Sequence, residues 1–453
     1  MDNGSTIILV SNHVLLIMGF SDYHNLQTGN RHEKASLIRL DESMEYQSLR
    51  KLYHMDASPD REQHAEKLAM MRLEADSTFR TGMVTPYGEL FLAVPRELSL
   101  INERVLRFER RIASKMRALP TVALGAMTRD LVVNEVVSTN ELEGVYSTRR
   151  QISELLEAGR RDGDPLGKKR FRELATLYLG LTDFDQARPS SPEDIRAIYN
   201  RVMSGEPLEE QDRPDGKLFR RGQVEIIGQG SKVIHEGLYP EKAIIDAIEK
   251  MLSITESADI PQTYSAIMSH YIFEYTHPFY DGNGRTGRYL LALYLRSPLS
   301  MMTSLSLSRV IAESRAGYYR SFREAEHPLN RGELTFFVMN MLENVRIAQD
   351  ELDRVLEEKR SKLDEVNDTL ESFGRSNRLS DKELNIVYML AQLDLFATFP
   401  EATQDAIASH IGLSKQQSRV YTKSLEEKKL IDRVSTRPLR FCLSSRSRSG
   451  LGF

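Results

Sequence analysis

Apolar residues recur at steps of three and four in Tyr264, Ile267, Met268, Tyr271, Ile272 and Tyr275, and again in Leu290, Leu291, Tyr294 and Leu295. That period predicts two buried helices with a short polar loop between them. Pro278 cannot continue the first helix and biases His277 away from helical angles, so the chain is expected to leave the helix there and expose His277. Elsewhere the pattern predicts one or two helices over 45–79, a short strand over 89–94, and an amphipathic helix from Asn102 to Ala118 that Pro120 ends. Ser191-Pro192-Glu193-Asp194 reads as a capped helix start, with the helix running to about Met203. A hairpin is expected over Gln223 to Val233, and a further helix over Ser308 to Phe322. A narrow apolar stripe from Val345 to Leu370 predicts a long, highly charged connecting helix.

The loop between the two buried helices, His277-Pro-Phe-Tyr-Asp-Gly-Asn-Gly-Arg-Thr-Gly-Arg288, carries the chemistry. Glycines at 282 and 284 open a helix start, where free N–H groups and the positive dipole end attract anions. Arg285 and Arg288 are three apart, so two guanidinium forks share one face and could hold phosphate oxygens. Asp281 supplies one hard oxygen ligand, enough for Mg²⁺ when phosphates and water complete its shell. His277 is the side chain best suited to move a proton near neutral pH. Singly, a histidine at a helix end is ordinarily a cap and paired arginines a solvated face. Jointly they spell nucleotide chemistry.

This stretch resembles the Fic motif, His-Pro-Phe-x-Asp/Glu-Gly-Asn-Gly-Arg-x-x-Arg, and matches all nine specified positions of its twelve. The resemblance implies a mainly α protein: a Fic helical bundle with a small β-hairpin flap, here followed by a winged-helix domain. It implies transfer of AMP from ATP to a Ser, Thr or Tyr hydroxyl of a protein, its own included, with Mg²⁺ as cofactor. By residue, it implies that His277 is the base and Asp281 holds Mg²⁺. Gly282, Asn283, Gly284, Arg285, Thr286 and Gly287 would bind nucleotide, Arg288 the γ-phosphate, and Phe279 would anchor the loop. The flap is expected to contribute Ile227 and Gly228 and to pair with an extended target segment. Tyr318 is the candidate for the adenine pocket, and Glu326 stands where relatives often carry an Asn. Thr139, Glu143 and Gly144 resemble the family's inhibitory motif, which implies that Glu143 occupies Arg288 and keeps ATP from binding productively.

The order at the C-terminus is a capping box at Ser380-Asp-Lys-Glu383, helices over 403–410 and 414–429, and strand candidates around Ser435 to Pro438. It resembles a winged helix, whose recognition helix would begin with Lys415, Gln416, Gln417 and Arg419, the candidate DNA contacts. From Glu401 onward ten Lys plus Arg face five Asp plus Glu, a local +5 against a net charge of −4 for the 453 residues. The whole therefore has no general pull toward nucleic acid, and protein docking competes with DNA as the role of this unit.

The organisation expected is a tail at 1–43, an N-terminal helical region with the inhibitory helix at 44–160, and a Fic core at 161–345. A connecting helix and linker at 346–378, a winged helix at 379–446 and a tail at 447–453 follow. A single cysteine, Cys442, excludes an internal disulfide and fits a cytoplasmic protein. The apolar run Ile7 to Phe20, interrupted by Ser11, Asn12 and His13, is short of the roughly twenty residues a membrane helix needs, so no membrane partner is expected. Three functions stay open: an autoinhibited adenylyltransferase, a DNA-binding regulator that uses the Fic domain as sensor, and an enzyme that removes AMP with the help of Glu143. A homodimer is compatible with each.

Overall fold

The computed structural model describes residues 46–157, 170–183, 187–227 and 233–453. The N-terminal region begins with α1 (Leu49–Met55) and α2 (Arg61–Leu73) and continues into an antiparallel hairpin, β1 (Thr78–Thr85) and β2 (Gly88–Ala93). The sequence pattern had carried helix to Phe79; instead Thr78 to Thr85 is strand. Its β-branched residues suit a pleated surface, and Gly82 (φ 67°) bulges where Glu89 accepts from its N–H. Next come α3 (Arg96–Arg117) and α4 (Thr121–Leu142), each opened by a proline at the N-cap, and α5 (Arg149–Glu157). Helix α3 starts six residues earlier than the pattern indicated, because Leu98 is already in its buried stripe with Val105 and Ile112.

The central bundle holds α6 (Arg172–Gly180), α7 (Pro192–Val202), the hairpin β3 (Glu225–Ile227) and β4 (Val233–Glu236), α8 (Glu241–Glu256), α9 (Gln262–Thr276) and α10 (Asn283–Leu295). Ser191 closes a complete capping box on α7. The hairpin reaches Glu236, three residues past the Val233 expected to end it, since His235 pairs with Ile226 across the strands. Every residue of α10 is buried, and α9 is buried on nearly all sides, so these two helices are the centre against which α4, α7 and α8 pack. Helices α11 (Met301–Ser304), α12 (Leu307–Glu313) and α13 (Arg315–Ala325) close the bundle.

Helix α14 (Thr335–Ser376) is 42 residues long and runs unbroken through position 345, where the sequence suggested a boundary. Its buried stripe, Val345, Leu352, Leu356, Leu363, Val366 and Phe373, changes neighbours along the way and so serves both cores. The C-terminal unit contains α15 (Asp381–Phe396), β5 (Ala402–Thr403), α16 (Gln404–His410), α17 (Lys415–Glu427), β6 (Ile431–Thr436), β7 (Leu439–Leu443) and α18 (Ser445–Leu451), with the strands in the order β5-β7-β6. Residues 447–453 are therefore mostly helix rather than tail: Ser444 caps α18, and Leu451 is fully buried in the C-terminal core. Among the described residues no helix is long and apolar enough to cross a membrane.

Candidate active site

The loop after α9 is shaped from both sides. His277 ends the helix in a left-handed conformation (φ 49°, ψ 62°), an unusual geometry for a non-glycine residue. Arg220, fully buried, holds it there. Its Nε donates to His277 O at 2.8 Å, its Nη1 to Gly222 O at 2.6 Å and its Nη2 to Leu238 O at 2.8 Å. Phe279 is fully buried and stacks on Tyr199 with ring centroids 3.6 Å apart, which pins the loop to α7.

Asn283 braces the loop rather than reaching outward. Its Oδ1 accepts from Phe279 N at 2.9 Å and its Nδ2 donates to Phe279 O at 2.8 Å, so the side chain is committed to the loop backbone. Gly282 (φ 80°) is the N-cap of α10, and a Cβ there would overlap Met203 Sδ. No side chain caps this helix start, and the first turn is Asn283, Gly284 and Arg285. Thr286 and Gly287 are buried in the same helix, and Gly287 leaves room for the Glu274 carboxylate, which a Cβ would overlap.

The two arginines share a face but have different partners. Arg285 is 1% exposed and bonds Glu206 at 2.7 Å, with Asp281 at 3.5 Å. Arg288 is 2% exposed: Nε donates to Thr139 Oγ1 at 2.8 Å, and Nη2 donates to Thr139 O at 3.1 Å and to Glu143 Oε1 at 2.6 Å. Glu143 reaches it from the C-cap of α4, where Gly144 (φ 70°) turns the chain away. Gly284 permits the approach, since a Cβ at 284 would overlap Glu143 Oε1. Burial pushes the Glu143 carboxyl up, but the charge and hydrogen bond of Arg288 outweigh it, and the net shift is downward. Glu143 is therefore an anion at neutral pH, seated on the guanidinium at the mouth of a helix N-terminus.

His277 is half-buried rather than exposed, because the hairpin strand β4 and Arg220 cover it. Burial first, then the neighbouring His235, lowers its pKa to about 4. The ring is neutral at physiological pH. Its Nδ1 lies 3.4 Å from Glu274 O, and since a carbonyl only accepts, this contact places the proton on Nδ1 and leaves Nε2 as the acceptor. Asp281 has its side chain 49% exposed, with Oδ1 taken by Gly282 N at 2.6 Å. Its Oδ2 faces Arg285 at 3.5 Å, and a half-exposed carboxylate beside an anion cradle fits Mg²⁺, which takes the rest of its shell from phosphate and water.

Other expected positions fall elsewhere. Tyr318 is 2% exposed, and its hydroxyl lies 2.8 Å from His270 Nε2, so in this structure it presents no surface to a nucleotide. Tyr319 is half-buried, its hydroxyl 3.5 Å from Leu142 O at the end of α4. Ile227 ends β3; Gly228 lies outside the described residues. On α17, Lys415, Gln416, Gln417 and Arg419 are all exposed; Lys415 also pairs with Asp405 at 2.8 Å, and Gln417 closes the capping box with Ser414.

The sequence reading missed four residues that hold this site together. Glu206 had been placed in an undistinguished polar loop. Arg220 and His235 carried no spacing signal, because their partners are backbone carbonyls and residues far along the chain. Glu274 sits one turn before His277, half-buried near Arg288; burial raises its pKa to about 8.

Residues 189–295 match the Fic/DOC family. The chain carries a Fic/DOC domain. The match covers α7 through α10 and the hairpin, the elements that carry His277 to Arg288. Protein adenylyltransferase fic-1 of Caenorhabditis elegans is 27% identical over 251 residues, 53% of this chain and 45% of that protein. Protein adenylyltransferase Fic of Drosophila ananassae is 25% identical over 223 residues, 48% of this chain and 41% of that protein. The chain thus spans less than half the length of the relatives it matches. Among solved structures, a Fic family protein from Desulfovibrio desulfuricans aligns with a TM-score of 0.47 at 20% identity, covering 78% of this chain and 97% of that one. Fic-1 of C. elegans aligns at 0.40 and 23%, over 57% and 74%.

Proposed function

We propose that this chain transfers AMP from ATP to a protein hydroxyl and that Glu143 holds the reaction down. The observation that carries the reading is a neutral histidine, His277, placed beside an uncapped helix start whose arginine already binds a carboxylate. The N–H groups opening α10 receive phosphate oxygens, and Arg285 adds charge beneath them. The target hydroxyl oxygen forms a bond to the α-phosphorus as the bond to the bridging oxygen breaks, and pyrophosphate leaves. The hydroxyl proton passes to His277 Nε2. When bound, Mg²⁺ would neutralise the charge on the departing phosphates, and Asp281 is the residue that would hold it. With Glu143 on Arg288, the γ-phosphate has no guanidinium to meet, and the chain is poised but slow.

The names of the matched relatives, protein adenylyltransferases, support the same reaction. Incubation of the purified chain and cell lysate with ATP labelled on either the α- or the γ-phosphate tests it. Label from the α-phosphate alone, retained on protein, is the expected result; retention of γ-label would overturn it.

The C-terminal unit is read as a winged helix that docks a partner through α17. Exposed Lys415, Gln416, Gln417, Arg419 and Val420 support a binding face there, on which Lys415 already shares its charge with Asp405.

A further inference from the structure

From within strand β4 of the hairpin, one ring reaches across to the rest of the site. His235, its side chain 10% exposed, directs Nδ1 at Glu326 Oε1 (2.7 Å) and Nε2 at Tyr275 O (2.8 Å). Tyr275 O belongs to the last turn of α9, two residues before His277, and Glu326 is the C-cap of α13. The ring is thus held at both nitrogens, by the last turn of α9 on one side and by the C-cap of α13 on the other.

We infer that His235 is a positioning residue for the transfer reaction: its ring ties the hairpin to the end of α9 and to Glu326, and so helps fix where an extended target segment lies relative to His277. This rests on the transferase reading above. The ring's neighbours are few and can be named. From α9 come Tyr275, with ring centroids 5.2 Å apart, and His277 at 6.3 Å; from α13 comes Glu326; from the hairpin itself come Glu225 and Glu236, a cross-strand pair adjacent to it. Arg220 lies beyond His277 and is occupied by carbonyls. Glu326 is thus the carboxylate that faces the ring directly. Without the ring, the contacts just past β4 that remain among the described residues include Leu238 N to Thr276 O (3.1 Å) and Arg220 Nη2 to Leu238 O (2.8 Å). His235 also helps keep His277 neutral, since it is one of the groups that lower its pKa.

Amide hydrogen exchange of the full chain, read on residues 233–238 and corrected for intrinsic rates, tests the tie. His235→Gln is expected to exchange about tenfold faster there than wild type, the scale of one hydrogen bond, and Glu326→Gln to lie between the two. Protection in His235→Gln equal to wild type overturns the proposal. If His235→Gln fails to fold, Glu326→Gln decides the matter by the same criterion. A second arm uses the Glu143→Gly background with ATP labelled on the α-phosphate. There, His235→Gln is expected to slow transfer several-fold with ATP affinity unchanged, and equal transfer overturns the positioning role. If Glu143→Gly itself transfers nothing while His235→Gln loosens the hairpin as stated, the transferase reading falls and the tie stands.

Discussion

Replacing Glu143 with glycine removes the carboxylate from Arg288 and leaves the guanidinium with Thr139 alone among its hydrogen-bond partners. The hydrogen bond lost is charge-assisted, 2.6 Å long, and joins a guanidinium 2% exposed to a carboxylate 24% exposed. A hydrogen bond to a charged group is worth about 1.5–3 kcal/mol, so an incoming γ-phosphate that no longer has to displace it gains roughly 10- to 150-fold in productively bound complex. Transfer should rise by that factor. The same change leaves a buried cation without its anion, which by analogy with broken buried pairs costs about 3–5 kcal/mol of stability. Glu274 offsets part of this, because Glu143 is one of the charges holding its carboxyl in the neutral form, and without it Glu274 ionises more readily beside Arg288. The variant should therefore melt below the wild type without nucleotide and gain more from saturating ATP, since the phosphate restores the missing charge. Self-labelling with ATP labelled on the α-phosphate, alongside thermal melts with and without ATP, measures both effects. Adding Arg288→Ala to Glu143→Gly should abolish the gain. Unchanged transfer in Glu143→Gly, or a gain that survives the loss of Arg288, would refute the reasoning.

His277→Ala should lose AMP transfer by at least a factor of about 100, the usual worth of a general base, while ATP binding measured by calorimetry persists. Because burial and His235 hold His277 near pKa 4, well below its unfolded value, the base is already neutral at pH 6, and transfer should fall only as pH approaches that value. The stability effect has the opposite reach: between the unfolded pKa and about 4 the unfolded chain binds the extra proton, so this histidine, like His270 with its pKa near 3, destabilises the fold as pH drops below about 6.5 in acid-melting experiments. Asn283→Ala removes both bonds to the Phe279 backbone and should cost about 1–3 kcal/mol in denaturant titrations, with an Asn283→Asp variant recovering at most the bond to Phe279 N. If α17 meets DNA, log affinity should fall with log salt by about one unit per phosphate contact, and Arg419→Ala should flatten the slope more than Lys415→Ala, because Lys415 is already held by Asp405.

Periodicity and spacing were enough to place the two central helices and the loop between them, since a helix buried on all sides must read as apolar at every third and fourth position and Pro278 must end it. The motif His277 to Arg288 was legible as nucleotide chemistry because its glycines, helix start and cations are local features, each with its own physical reason. Capping at Ser191 and Ser380 was legible for the same reason. The errors were also local: the strand β1 was read as helix because its threonines and glycine follow a helical run, and α18 was read as tail because one buried leucine, Leu451, gives no period. What the folded chain alone decides is which long-range partner each charge takes. Arg285 goes to Glu206, Arg288 to Glu143, Arg220 to four carbonyls and His235 to Glu326. Pairing of buried charges depends on which elements the core brings within a few ångströms, across as many as 145 residues of chain in the case of Glu143 and Arg288, and no pattern along the sequence encodes that distance. The exposure of His277 was misjudged for the same reason: a helix end is open until the fold lays β4 and Arg220 over it, and that covering is what makes the ring neutral.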